Sequence, residues 1–472
     1  KGKDSAHMHP DDAARYADSL SSGVVLSTPF PAPGADAFRW LFYSQSPPWN
    51  NTRLSLKAIL EGQREFLFRL KNVHQFYLLN RPLDGGGTHI PALPSGAHPL
   101  DGWILHALDA LVRDTTAGLD AYRIFEPARA INAFVDTLSN WWLRRSRDRF
   151  DGDSSDSLEV RHTLHYVLVT LSRLIAPFVP FQAEAMHQSL RLAAAGGAGA
   201  SLLQEESVHL TDWPAPDDRW LAPELADDME LVRELANLGR SARERVGVPV
   251  RQPLASAEVV LADPRRAARL EPLLSLLRDE LNVRAILFSS DANRLVTFAV
   301  KPDFKVLGAR LGKDMKAVAA AIGQMDGSEL RNALAKGAVT VGGYALTDSD
   351  VRVEVAARAG FQASGSAAAV VALTCTLDED LLEEGLFREI ASRIQAIRKE
   401  IGCGYGEIID VHLAEGAVAG SELVGRGARM FERFSAALFR DTRSRFVASW
   451  GGSGEGAEGE PGANIWIWSR RA

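Results

Sequence analysis

Near residue 255 the spacing of apolar side chains changes. Upstream they recur every three or four positions; downstream they gather into short β-branched runs. Spacings of three and four line one side of an α-helix, and β-branched runs suit strands, so two architectures are expected in series. Leu56, Ile59, Leu60, Phe66, Leu67, Leu70 and Val73 keep the helical spacing between about 34 and 80. Periodic segments follow at about 101–118, 124–147 and 158–175, the signature of a helical bundle.

Proline and glycine punctuate this pattern. Pro177 and Pro180 remove backbone donors from "LIAPFVPFQAEAMHQSL" and predict a kink or a helix restart. "SVHLTDWP" is expected to be extended, and a helix over about 222–246 is ended by Gly247 and Pro249. Strands are expected in "AEVVLA", "VRAILFS", "RLVTFAV", "AVTVGG" and "DVRVEVAA". A last unit joins "AVVALTCTL" to a helix at 379–400, then "IIDVHLA", a helix near 421–440, and "NIWIW" behind the tether "GGSGEGAEGEPG". The expected fold class is multidomain, α and α+β. An irregular segment 1–33 precedes a helical bundle over 34–254, followed by smaller α/β domains: an α+β unit over 255–370 and an α/β unit over 371–472.

Composition narrows the class. With 472 residues, 46% of them apolar, the chain has ample material for buried cores. Only Cys375 and Cys403 are present, which excludes a disulfide framework and a Cys-rich zinc site. No apolar run reaches the roughly 18 residues that span a bilayer, and the first residues lack the apolar centre of a signal peptide, so a cytoplasmic protein without a membrane partner is expected. The formal net charge of −7 opposes nonspecific nucleic-acid binding and leaves a local basic surface open.

Such a surface is concentrated in "NWWLRRSRDRF", residues 140–150. On the helix that begins near residue 124, Ile131, Phe134, Val135, Leu138 and Trp142 form the expected buried stripe. At about 100° per residue, Arg145 and Arg149 continue that face, while Arg144 and Arg147 point elsewhere. Two readings fit. In one, the arginines suit a helix C-terminus and pair with local carboxylates such as Asp148. In the other, guanidinium forks meet phosphates, and Trp141 or Trp142 stacks on an unpaired base. Duplex DNA is not an expected partner, because no helix-turn-helix or zinc-finger spacing accompanies the patch. A second basic group, Arg240, Arg243, Arg245 and Arg251 with Gln252, lies in "GRSARERVGVPVRQPL". A third, in "VKPDFKVLGARLGKDMK", carries Lys301, Lys305, Arg310, Lys313 and Lys316. Glu383, Glu384 and Glu389 read as a solvated helix face, and Cys403 sits in a turn-like "GCGYG".

At the level of whole segments, "GADAFRW" with "SPPWNNTRLS", then "NVHQFY", then "FVDTLSNWWLRRSRDRF" resemble successive parts of class I aminoacyl-tRNA synthetases. They match the segment after the catalytic core, the first bundle helix and the anticodon-domain helix. "SVHLTDWP", "GRSARERVGVPVRQPL" and "VKPDFKVLGARLGK" together are similar to the isoleucyl-tRNA synthetase family, over residues 34 to about 414. The resemblance implies that the bundle is an anticodon-binding domain and that later α/β units help hold the anticodon stem. Under it Trp141, Trp142, Arg144, Arg145, Arg147, Arg149, Arg240, Arg243, Arg251, Gln252, Lys301, Lys305 and Lys313 are expected to bind tRNA, isoleucine tRNA in particular.

Departures from the family bear on catalysis. Members activate isoleucine with ATP in a Rossmann domain carrying HxGH-type and KMSKS-type motifs, whose groups stabilise charge on the phosphates. No HxGH occurs, and no lysine lies between Lys3 and Lys57. The chain is therefore expected to hold no catalytic residue, metal or cofactor of its own. ATP and magnesium enter only with a catalytic half, itself an expected partner. The leading expectation is the tRNA-recognition portion of an isoleucine-tRNA ligase. Its alternatives are a free-standing relative that binds tRNA without acylating it, and a protein-interaction scaffold with no tRNA affinity.

Overall fold

The computed structural model of the chain describes residues 33–47, 49–51, 55–81, 92–193, 205–290, 294, 296–325, 327–357, 361–366, 368–403, 408–415, 433–434, 436–437, 439, 442, 444–448 and 465–471. The segment 1–32, the tether 451–462 and most of the helix expected near 421–440 lie outside them. Two compact units divide the chain, Lys1–Met229 and Glu230–Ala472.

The first unit is helical. It contains α1 (Ala35–Ser44), α2 (Leu56–Gly62) running through a π-helical turn (Gln63–Phe68) into α3 (Arg69–Asn80), and α4 (Pro99–Asp120). Then α5 (Phe125–Thr137) passes through a second π turn (Leu138–Leu143) into α6 (Arg144–Ser146) and a 3-10 turn (Arg147–Phe150). After these come α7 (Ser155–Ile175), α8 (Pro180–Ala193) and the start of α9 (Pro223–Arg245). Short polar side chains start several helices by accepting orphan backbone N–H groups: Ser55 from Ala58, and Ser154 from Ser157. The His98 ring does the same for Leu100, one residue after Pro99 opens α4. Asp36 of α1 accepts from the N–H of Gln182 at 2.7 Å and so caps α8.

Periodicity and burial agree. Ile131, Phe134, Val135, Leu138 and Trp142 are all buried. Each such aliphatic side chain contributes about 1.5–3 kcal/mol. Trp40 stacks on Phe66 with ring centroids 3.6 Å apart. The break expected at Pro177 and Pro180 is a restart, with α7 ending at Ile175 and Pro180 standing first in α8. "SVHLTDWP" departs from its expected extended form. Val208–Leu210 make a 3-10 turn, because Ser207 Oγ accepts from the N–H of His209 while Glu184 accepts from Ser207 Oγ and the N–H of Val208.

The second unit carries the strands. β1 (Leu254–Leu261) lies parallel to β2 (Val283–Phe288) in one sheet. β3 (Val296–Pro302) pairs antiparallel with β6 (Val351–Ala357), and β4 (Val339–Val341) turns into β5 (Tyr344–Leu346) through Gly342 and Gly343, both at positive φ. β7 (Phe361–Gly365) and β8 (Ala369–Thr374) complete the first sheet in the order β2-β1-β8-β7. β8 straddles residue 370 and pairs along β1, so this sheet continues across the boundary expected there. Connecting helices are α10 (Arg266–Leu270), α11 (Leu274–Leu281), α12 (Phe304–Leu311), α13 (Met315–Gln324) and α14 (Gly327–Lys336). Val300, Leu307, Val318, Ile322, Leu330 and Leu346 form a separate core among β3, β5 and α12 to α14. Last come α15 (Glu379–Glu400) and β9 (Ile409–Glu415), which lies between β10 (Ser444–Ala448) and β11 (Ile465–Arg471). No helix among the described residues is long and apolar enough to cross a membrane.

Candidate nucleic-acid interface

The arginine-rich end of α5 to α6 is organised around one buried carboxylate. Asp101, in the first turn of α4, is 0% exposed. It accepts from Trp142 Nε1 at 3.1 Å and from both terminal nitrogens of Arg149, at 3.0 and 2.7 Å. Arg149 also donates to Asp156 from Nε and Nη2, at 2.9 and 2.6 Å. A planar guanidinium can serve two carboxylates at once, which an ammonium cannot do with fixed geometry. Burial pulls the Arg149 pKa down, but the hydrogen bonds and charges of Asp101 and Asp156 outweigh it and hold it above the ordinary arginine value. Hydrogen bonds from Arg149 in turn hold the Asp156 carboxyl below its ordinary 3.8.

Two of the expected tRNA-binding side chains are therefore placed as frame. Trp142 is sealed in the core, and Arg149 faces two carboxylates with its side chain only 12% exposed. This corrects the expectation of a pair of indoles open for stacking, because the buried stripe claims the second one. The alternative of carboxylate pairing holds for Arg149, with Asp101 and Asp156 as partners in place of Asp148, which makes no ion pair among the described residues. Arg144 and Arg147 remain exposed, as their angular positions require. Arg147 lies over the ring of Phe76 at 5.7 Å, and Phe76 packs edge-on against Phe150 at 4.9 Å. Arg144 has no carboxylate partner among the described residues. Trp141 and Arg145 are half-buried beside them.

The second basic group is mostly structural. Arg243 is buried and donates to four backbone oxygens: Pro249 at 3.1 Å, Gln252 at 2.8 Å, Leu281 at 2.6 Å and Asn282 at 3.1 Å. Burial lowers its pKa to about 10. Gln252 Nε2 donates to the Leu381 carbonyl at 2.7 Å, and its Oε1 lies 2.1 Å from where a Cβ on Gly385 would stand. Arg243, expected to contact tRNA, is thus committed to backbone oxygens inside the fold, and Gln252 is half-buried with its amide on Leu381. Arg240 pairs with buried Glu280, and exposed Arg251 reaches Glu389 at 3.2 Å. In the third group Lys301 and Lys316 are exposed and Arg310 pairs with Asp350 at 3.0 Å, while the side chains of Lys305 and Lys313 lie outside the described residues.

Sequence reasoning missed Asp101 and Asp156, the groups that position this end of the bundle. The available signal was Asp101 in the first turn behind Pro99, a place that suits a carboxylate. Among the described residues no group of three or more His, Cys, Asp or Glu could hold a metal ion.

Arg144 and Arg147 thus stand exposed at one end of a helical bundle. Residues 101–261 match the family described as the anticodon-binding domain of tRNA ligases. Over most of its length the chain is similar to isoleucine-tRNA ligases. It is 35% identical over 406 residues to the isoleucine-tRNA ligase of Clostridium acetobutylicum, covering 84% of this chain and 38% of that protein. With the isoleucine-tRNA ligase of Clostridium novyi it shares 36% identity over 81% of this chain and 36% of the relative. With isoleucine-tRNA ligase 2 of Bacillus cereus it shares 35% identity over 80% of this chain and 36% of the relative. The chain thus spans little more than a third of the length of the curated relatives it matches.

Proposed function

We propose that this chain is the tRNA-recognition portion of an isoleucine-tRNA ligase and that it grips the anticodon loop with the end of α5 to α6. Arg144 and Arg147 meet phosphates, and half-buried Trp141 borders the bases. One observation carries the reading: Arg149 is held by Asp101 and Asp156, while Arg144 and Arg147 face solvent at the same helix end. An unpaired loop suits this surface, because its phosphates and splayed bases are reachable together. ATP-dependent attachment of isoleucine then requires a catalytic domain joined to this one. ATP and magnesium enter with that domain.

Filter binding with an isoleucine tRNA transcript, run across salt concentrations, tests the reading. Arg144→Ala and Arg147→Ala are each expected to weaken binding on the order of tenfold. Each should also lower the slope of log affinity against log salt by about 0.7 to 1. Full affinity and an unchanged slope in both variants would remove these residues from the interface.

A further inference from the structure

The cationic surface does not end with α6. Arg147 rests on Phe76, which ties it to α3, and Arg69 of α3 pairs with Asp136 of α5 at 2.7 Å, so the two helices lie side by side. On α3, residues three and four apart share a face. Asn72 precedes Phe76 by one turn and Leu79 follows it by nearly one, so both flank the ring under Arg147. Gln75 lies on the same stripe. All three are exposed, Leu79 at 84%, and neither amide has a hydrogen-bond partner among the described residues.

We propose that this stripe of α3 is the base-reading edge of the interface, with single-stranded RNA bases as its ligand. A carboxamide offers a donor and an acceptor on one rigid plane, which matches the paired groups on a base edge; guanidinium matches phosphate oxygens. Exposed Leu79 supplies an apolar contact for a base face next to those amides. Charge chooses the occupant. Arg147 borders the stripe, so a polyanion with unpaired bases fits it better than an apolar peptide. The stripe deepens the tRNA reading of the same surface and rests on it.

Filter binding of the full chain separates the two levels, using an isoleucine tRNA transcript and copies with substituted anticodon-loop bases as probes. Asn72→Ala and Gln75→Ala should each lose on the order of tenfold in affinity for the isoleucine transcript. They should narrow the ratio between it and the substituted copies and leave the salt slope unchanged, since an amide neutralises no phosphate. Alanine is favoured inside a helix, so the melting curve should stay at or above that of the wild type. An unchanged ratio in both variants, with tRNA binding otherwise intact, overturns the stripe alone. Failure of the wild-type chain to bind any of the transcripts overturns the stripe and the tRNA reading together.

Discussion

Arg149 and Arg144 are five positions apart and have opposite fates. Arg149 closes a buried carboxylate cage, so replacing it strands Asp101, which then keeps only Trp142 as a donor among these partners. Breaking a buried pair from one side costs about 3–5 kcal/mol, whereas a solvent-facing charge costs within about 0.5 kcal/mol. Urea unfolding should accordingly show a large loss for Arg149→Ala and little for Arg144→Ala. A loss below about 1 kcal/mol for Arg149→Ala would mean that the cage is dispensable. Acid adds a second readout. Asp156 ionises more readily folded than unfolded, so its share of stability is present above the ordinary 3.8 and fades as pH falls through the lower folded value. That fade should be missing in Arg149→Ala. Helical angle alone made the directions of Arg144, Arg147 and Trp142 legible in the sequence. The partners of Arg149 were not legible, because Asp101 is 48 positions away and is reached only once α4 and α7 meet at one end of the bundle.

At the scale of elements, most helices and strands follow from spacing and from proline or glycine. What spacing could not show is which strands pair: β1 and β8 are joined through long-range hydrogen bonds, so an expected domain boundary at 370 falls inside a sheet. Turn chemistry also escaped notice at the end of α4. There the N–H of Arg123 donates to Gly118 O at 2.8 Å and that of Tyr122 to Leu119 O at 2.9 Å, a Schellman closure whose left-handed position holds Tyr122 at φ 57°. Glycine is the usual occupant, since a Cβ clashes in that conformation. The phenol ring is 91% exposed and has little packing to lose. Tyr122→Gly is therefore expected to raise stability by about 0.5–1 kcal/mol, the strain relieved less the entropy of a freer unfolded chain. A destabilised variant in thermal melting would show that the tyrosine holds this turn by some other contact. Gly118 in the same turn has no such freedom, because a Cβ there would stand 2.5 Å from Pro127 Cγ.

Over the whole molecule, two compact units are expected to answer separately to damage. The second unit depends on Arg243, whose guanidinium gathers carbonyls from the loop between α9 and β1 and from the end of α11. Arg243→Ala removes the donors for four backbone oxygens in one step and opens a cavity the size of the side chain. None of these partners belongs to the helices that form the first core. Native-state hydrogen exchange resolves such local loss, because amides exchange with the free energy of the unit that must open. The variant should lose protection along β1, β2 and α15 while α4, α5 and α7 keep theirs, and the Arg144 and Arg147 surface should keep its tRNA affinity. Equal loss of protection in both sets of elements would show that the chain opens as a single cooperative body, and that damage behind Arg243 reaches the interface.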